Sequence, residues 1–128
     1  MIPSYIKIKK LLKNKQEKIN IVTGIEFETG RTIDGKKEYG KRIDVGQLPN
    51  ATAKEIETGL ENVSFTYISG IAIYEYGVSI PIPLVEKATD SQYNIGLKIT
   101  NYGQTIRISC DKDQNVFTGY VTLYYTKN

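Results

Sequence analysis

From Ile19 onward the apolar residues come in short runs of period two, each closed by Gly, Pro, Asn or Asp, and this punctuation constrains the chain more than any other feature. Ile19-Asn20-Ile21 and Ile25-Glu26-Phe27-Glu28 alternate. Residues 65–74 form a long run of strand formers, and Gly70 within it predicts a bulge or a close backbone approach. Val78, Ile80, Ile82 and Leu84 share one phase while Pro81 and Pro83 occupy the other. Proline cannot donate to a ladder, so this segment is expected at a sheet edge or in an extended crossing. Strand patterns follow over residues 93–99, 105–110 and 116–125, separated by a turn at Asn101-Tyr102-Gly103 and a polar loop at 111–115. Side chains two apart on a strand share a face, so such runs bury that face only against a second layer. About seven short strands at roughly ten-residue spacing predict an all-β fold, an antiparallel β-sandwich or jelly-roll-like knob.

Two local signals refine this. Asp34-Gly35 is a hairpin turn pair, since both central residues of that turn take positive φ, and it is expected to join residues 25–27 to 39–45. Residues 50–59 pull in two directions. Thr52 with Glu55 resembles a helix capping box and Gly59 a stop, but Ile56 is the only large apolar residue between them, so a helix has no stripe to bury.

The formal charge of +3 is unevenly placed. Lys7, Lys9, Lys10, Lys13, Lys15 and Lys18 stand against Glu17 in the first eighteen residues, leaving the remainder slightly acidic. This divides the chain into a basic arm over 1–24 and a head over 25–128, a length that suits one domain with an appendage. Ile8, Leu11, Leu12 and Ile19 fit a short amphipathic helix, and Ile6 with Ile8 fits a strand equally well. A segment of this kind docks on an acidic protein surface, lies on nucleic acid or membrane, or remains a solvated tail. No apolar run reaches the length of a membrane span, no signal-peptide pattern opens the chain, and one cysteine, Cys110, fits synthesis in a reducing cytoplasm.

Catalytic equipment is scarce. With no histidine, the usual general base, zinc ligand and nucleophile activator are all missing. Cys110 ends a strand pattern and reads as a buried apolar thiol. Glu26 with Glu28 and Glu55 with Glu57 each share a strand face, which is usually a wet sheet surface rather than an acid pair across a cleft. Asp111-Lys112-Asp113-Gln114-Asn115 imitates the start of a calcium loop, but Val116 and Thr122 stand where the glycine and the bidentate glutamate are required. No metal or cofactor is expected. Tyrosine is enriched, with ten against three Phe and no Trp. Tyr124 and Tyr125 are adjacent, so one of them faces out, and exposed tyrosines suit an interface or a sugar-stacking surface.

The segment Asp34-Gly35-Lys36, Tyr39 and Lys41-Arg42-Ile43-Asp44-Val45-Gly46-Gln47-Leu48-Pro49-Asn50, with the ending Val121-Thr122-Leu123-Tyr124-Tyr125-Thr126-Lys127, resembles the distal head domain at the C-terminus of tailed-phage and prophage tail fibres. Ser69-Gly70-Ile71-Ala72, Pro81-Ile82-Pro83-Leu84 and Thr118-Gly119-Tyr120 agree more loosely, and the likeness covers residues 34–128. Thr58 stands where members often carry histidine, which removes any role for that side chain, and Val45 stands where Phe is usual.

The resemblance implies a strand over about 52–58, a parallel homotrimer, and a virion protein made in the host cytoplasm. It implies non-enzymatic adhesion to a host-surface glycan or protein, with the arm holding the head to other virion proteins and with neither nucleic-acid binding nor membrane insertion. Contact residues are then expected in loops at the far end of the knob, with Tyr74, Tyr76, Tyr93, Tyr102, Asp111 and Asp113 as candidates. The alternative is a structural virion component, such as a capsid head fibre, decoration protein or baseplate connector; the short chain, beginning with methionine and lacking a shaft, argues for it.

Overall fold

The structure, a computed structural model, describes residues 19–87 and 92–128. The arm lysines Lys7, Lys9, Lys10, Lys13, Lys15 and Lys18, and residues 88–91, lie outside the described residues, as does the side chain of Tyr93. The described residues form nine strands: β1 (Phe27–Ile33), β2 (Lys36–Gln47), β3 (Ala53–Glu57), β4 (Val63–Tyr74), β5 (Val78–Ile82), β6 (Leu84–Lys87), β7 (Gln92–Thr100), β8 (Thr105–Cys110) and β9 (Thr118–Lys127). They make two antiparallel sheets, ordered β1-β2-β9-β4-β5 and β3-β8-β7-β6, an all-β arrangement consistent with a sandwich.

The hairpin turn forms at Asp34 and Gly35, with φ of 50° and 79°, and joins β1 to β2. Its strands are longer than expected, because Ile33 pairs with Lys36 directly across the turn. Residues 53–57 form a strand rather than a helix, pairing along β8 so that Ile56 sits opposite Ile106. The proline-bearing segment is both an edge and a crossing. β5 closes one edge of the five-stranded sheet, and after a cis Ile82-Pro83 bond the chain enters β6 at the edge of the other. Gly70 marks a close approach, since a Cβ there would meet the Ile82 carbonyl oxygen at 2.8 Å. The bulge of β4 lies instead between Phe65 and Tyr67.

β9 is the centre of the larger sheet, flanked by β2 and β4 along its length. Its inward residues Val121, Leu123 and Tyr125 are fully buried and pack with Ile43, Val45, Ala72 and Ile82 against Ile95, Ile106, Ile108 and Cys110 of the other sheet. Each of the Val, Leu and Ile side chains among them contributes about 1.5–3 kcal/mol by leaving water. Burial pushes the Cys110 thiol up to about 11, aided by the neighbouring Asp111 charge, so it is an inert apolar group. The Tyr125 hydroxyl reaches out of the core to donate to Glu26 at 2.8 Å, and Lys127 donates to the same carboxylate at 2.9 Å. Burial pushes the Glu26 carboxyl up, but these two bonds outweigh it and hold the group below its ordinary value. Thr58 is buried; its hydroxyl donates to the Gly103 carbonyl at 2.7 Å and accepts from the Leu60 amide at 3.0 Å, fixing the β3–β4 connector to the turn before β8.

The outer faces of the two sheets differ. On the four-stranded sheet Glu55, Arg107 and Lys98 lie side by side across three strands. On the five-stranded sheet the residues opposite in phase to the core are Phe27, Tyr67, Ile71, Ile73, Tyr120 and Tyr124, interspersed with Ser69 and Thr122.

Candidate functional site

A concavity lies at the end of the larger sheet where β4 turns into β5 and β8 passes into β9. It is a cleft of ≈ 670 Å³ lined by Gln47, Ile73, Tyr74, Glu75, Tyr76, Asn115, Val116, Thr118 and Tyr120. Ile73, Thr118 and Tyr120 come from the outer face of the sheet and form its floor.

One wall is the β4–β5 turn. Tyr74 pairs with Val78, the Gly77 amide donates to the Tyr74 carbonyl at 3.1 Å, and Gly77 has φ of 90°. That is a three-residue hairpin loop whose last position favours glycine, and it projects Glu75 and Tyr76 from the sheet end. Tyr74 and Tyr76 meet edge to face with centroids 5.1 Å apart, and Tyr74 also lies against Phe117 at 5.9 Å. Tyr76 remains 75% exposed, so its ring is available to a ligand.

The other wall, residues 111–117, is held by the Leu48-Pro49-Asn50 segment. Leu48 is buried and its amide donates to the Phe117 carbonyl at 3.0 Å, the Gln114 amide donates to the Pro49 carbonyl at 3.2 Å, and Asn50 bridges to Asp113. The Asn115 amide donates to the Asp113 carboxylate at 3.0 Å, and the Phe117 amide closes a turn onto the Gln114 carbonyl. Backbone bonds therefore position Asn115 on the rim. On the same outer face, the Arg42 guanidinium lies 4.3 Å from the centre of the Tyr120 ring, and Tyr120 lines the cleft.

The residues expected to bind are only partly brought together. Tyr74 and Tyr76 line the cleft. Asp111 and Asp113 flank the loop without lining it: Asp111 accepts from the Asn94 backbone and side-chain amides at 3.0 and 2.9 Å, and Asp113 serves its own loop. Both carboxylates brace backbone. Tyr102 lies at the other end of the molecule, 96% exposed, beside Asn62, Gly103 and Asn128, a whole length of β9 from Thr118. Tyr93 is on β7, paired with Glu86.

Tyr120, Gln47 and Asn115 complete the cleft. The phase of β9 was a usable signal for the first of these, because burial of Val121, Leu123 and Tyr125 puts Tyr120 and Tyr124 on the outer face together. Glu28 pairs with Lys37 at 3.2 Å and Glu55 with Arg107 at 3.1 Å, and Glu26 holds Tyr125 and Lys127, so these acids are engaged with neighbours on their own sheets. Among the described residues no group of three or more His, Cys, Asp or Glu side chains is placed to hold a metal ion, and no helix is long and apolar enough to cross a membrane.

Fold and site together define an all-β, two-sheet protein with a tyrosine-walled, amide-rimmed surface cleft. No family model, curated protein or solved structure matches the chain.

Proposed function

We propose that this is a non-enzymatic virion adhesion protein, a trimeric jelly-roll-like fibre or spike head that binds a host-surface glycan in the cleft between the β4–β5 turn and the β8–β9 loop. The cleft is the observation that carries the reading. Tyr74, Tyr76 and Tyr120 offer ring surfaces on which the apolar face of a pyranose stacks, while Gln47, Glu75, Thr118 and Asn115 supply donors and acceptors for hydroxyls. All are mounted on strands or on loops pinned by backbone bonds, so little order is lost on binding. The likeness of residues 34–128 to phage fibre heads supports the same reading and a virion location, with the basic arm joining the head to other virion proteins. A single open cleft binds weakly, and three copies in one particle element raise the avidity by effective concentration.

Retention of the full-length protein on intact host surface polysaccharide, or on a glycan array, tests the proposal. Tyr76→Ala is expected to weaken retention about two- to tenfold with the fold unchanged, the scale of one stacking contact. Equal binding by this variant, or no retention of the native protein on any surface material, overturns it. The second reading, a structural virion component that joins proteins without touching the host, draws on the aromatic outer face of the five-stranded sheet; immunolabelling at an internal joint of the particle would favour it.

A further inference from the structure

We infer that the end of the molecule opposite the cleft carries a second binding site, for an uncharged glycan, in the concavity between the Asn101-Tyr102-Gly103 turn and the β3–β4 connector. It shares a ligand class with the reading above but none of its residues, so either site can fail alone.

The backbone singles out Tyr102. Asn101, Tyr102 and Gly103 follow one another at φ of 54°, 54° and 91°, and only the last is glycine. A tyrosine in the left-handed region is strained because its Cβ crowds the backbone, and Gly or Asn would make this turn with less strain. The ring adds nothing to the packing, since it is 96% exposed and meets no other ring among the described residues. Strain of this kind persists only where the surroundings enforce it, and it gathers at positions that contact ligands.

Here three hydrogen bonds enforce it. The buried Thr58 hydroxyl donates to the Gly103 carbonyl at 2.7 Å, the Thr58 amide to the Gln104 carbonyl at 2.8 Å, and the Gln104 amide closes back on the Asn101 carbonyl at 3.1 Å. Gly103 also lies so close to Phe65 that a Cβ would come within 3.1 Å of the ring. Tyr102 is thus presented to solvent on a fixed turn, and little order is left to lose when a ligand meets it.

The lining of the concavity chooses the ligand class. It measures ≈ 600 Å³, within the ~300–1,000 Å³ of small-molecule sites. Asn62, Asn101, Gln104 and Asn128 line it with side-chain amides, and no acidic or basic side chain does. The amides of Asn62, Asn101 and Gln104 make no side-chain hydrogen bond among the described residues, so each keeps two donors and an acceptor for a ligand. Adjacent hydroxyls of a pyranose need that mixture, and its apolar face needs a ring such as that of Tyr102. An ionic ligand finds no counter-charge inside. In the depression that adjoins the site through Asn62, Val63 and Asn128, Lys127 is already bound to Glu26 at 2.9 Å, and Glu61 adds a carboxylate that opposes an acidic sugar.

Proton–nitrogen correlation spectra of the full-length protein test the site. The probes are maltose, lactose and N,N′-diacetylchitobiose, with glucuronic acid beside them, each raised to about 50 mM because one shallow stacking site binds in the millimolar range. At least one neutral disaccharide is expected to shift the side-chain amide signals of Asn62, Asn101 and Gln104 and the backbone amide of Tyr102, equally at low and high salt because no ion pair forms. Glucuronic acid is expected to leave them in place. Tyr102→Asn should weaken the binding about two- to tenfold, the scale of one stacking contact, while its unfolding midpoint is no lower than that of the native chain, because Asn enters the left-handed region more readily. Should that variant fail to fold, Asn101→Gly keeps the turn, deletes one amide and is expected to weaken the binding as well. No shift with any neutral disaccharide, equal binding by the variant, a lowered midpoint in Tyr102→Asn, or an equal response to glucuronic acid overturns the site. Tyr76→Ala should leave these shifts as they are in the native protein, so failure of the cleft and failure of this site are read apart.

Discussion

The outer faces of the two sheets are built from the same alternation over the same core, yet Glu55, Arg107 and Lys98 occupy one and Tyr67, Ile71, Tyr124 and Phe27 the other. On the first, a charged pair such as Arg107–Glu55 at 3.1 Å stands in water with both side chains well exposed. On the second, the carboxylate of Glu38 is roofed by side chains and held by three neighbours, Thr66, Thr29 and Arg31. Strand periodicity thus decides which residues leave the core and leaves open what they meet outside. One face carries charged side chains in water, and the other exposes rings and aliphatic side chains.

The comparison holds only if the inner faces are equivalent. Leu123→Ala on the five-stranded sheet and Ile108→Ala on the four-stranded one are each expected to cost about 2–5 kcal/mol, as both side chains are fully buried in one core; urea denaturation measures it, and a large inequality would mean two separate cores.

Glu38→Ala is expected to cost about 2–4 kcal/mol, because Arg31, Thr29 and Thr66 lose their acceptor in a covered site, whereas Glu55→Ala stays within about 0.5 kcal/mol. The Thr66 hydrogen bond, then those from Arg31 and Thr29, hold the Glu38 carboxyl below its ordinary value against the effect of burial. A lowered carboxyl stabilises the fold at pH values above the ordinary 4.5 and loses that contribution as pH falls through its folded value. Thermal unfolding followed downward from pH 4.5 should therefore fall steeply in the native protein and less steeply in Glu38→Gln.

Glycines separate the faces more finely. A Cβ at Gly40 would collide with the Phe27 ring that lies over it, so Gly40→Ala is expected to cost about 1–3 kcal/mol. At Gly96, on the four-stranded sheet, the obstacle is the Ser109 hydroxyl oxygen at 2.6 Å, which rotates away, and the cost should stay under about 1 kcal/mol. Comparable chemical-denaturation midpoints for the two variants would refute this distinction. The smallest effect is expected from Arg107→Ala, about 0.2–1 kcal/mol and weaker in salt, measured by the same unfolding curves.

Much of the architecture was legible in particular residues. Asp34-Gly35 specified its hairpin because few residue pairs adopt two successive positive φ angles. Pro81 and Pro83 predict an edge strand or an extended crossing, and the segment is both, with β5 and β6 at the edges of different sheets. Ile56 alone, with no apolar stripe around it, opposed the helix that Thr52 and Glu55 suggested locally, and it pairs in a strand. Other features were hidden. The bulge at Thr66 left no residue signal, and the alternation across residues 78–84 predicts a single segment where β5 and β6 form in different sheets, part of why nine strands stand where about seven are expected. Of the candidate binding residues Tyr74 and Tyr76 converge, Asp111 and Asp113 brace backbone, and Tyr102 points from the opposite end, because proximity between loops depends on strand order.

The sequence by itself determined that these residues would form strands, where those strands would turn, and that chemistry needing histidine is absent, since backbone conformation and titratable groups are properties of short segments. Only the tertiary structure decided that β9 lies between β2 and β4, and that the Leu48-Pro49-Asn50 segment holds one wall of a cleft whose other wall comes from a distant hairpin. Those facts depend on which strands pair and in what register, and pairing between residues far apart in the chain is settled by burying all the apolar faces at once.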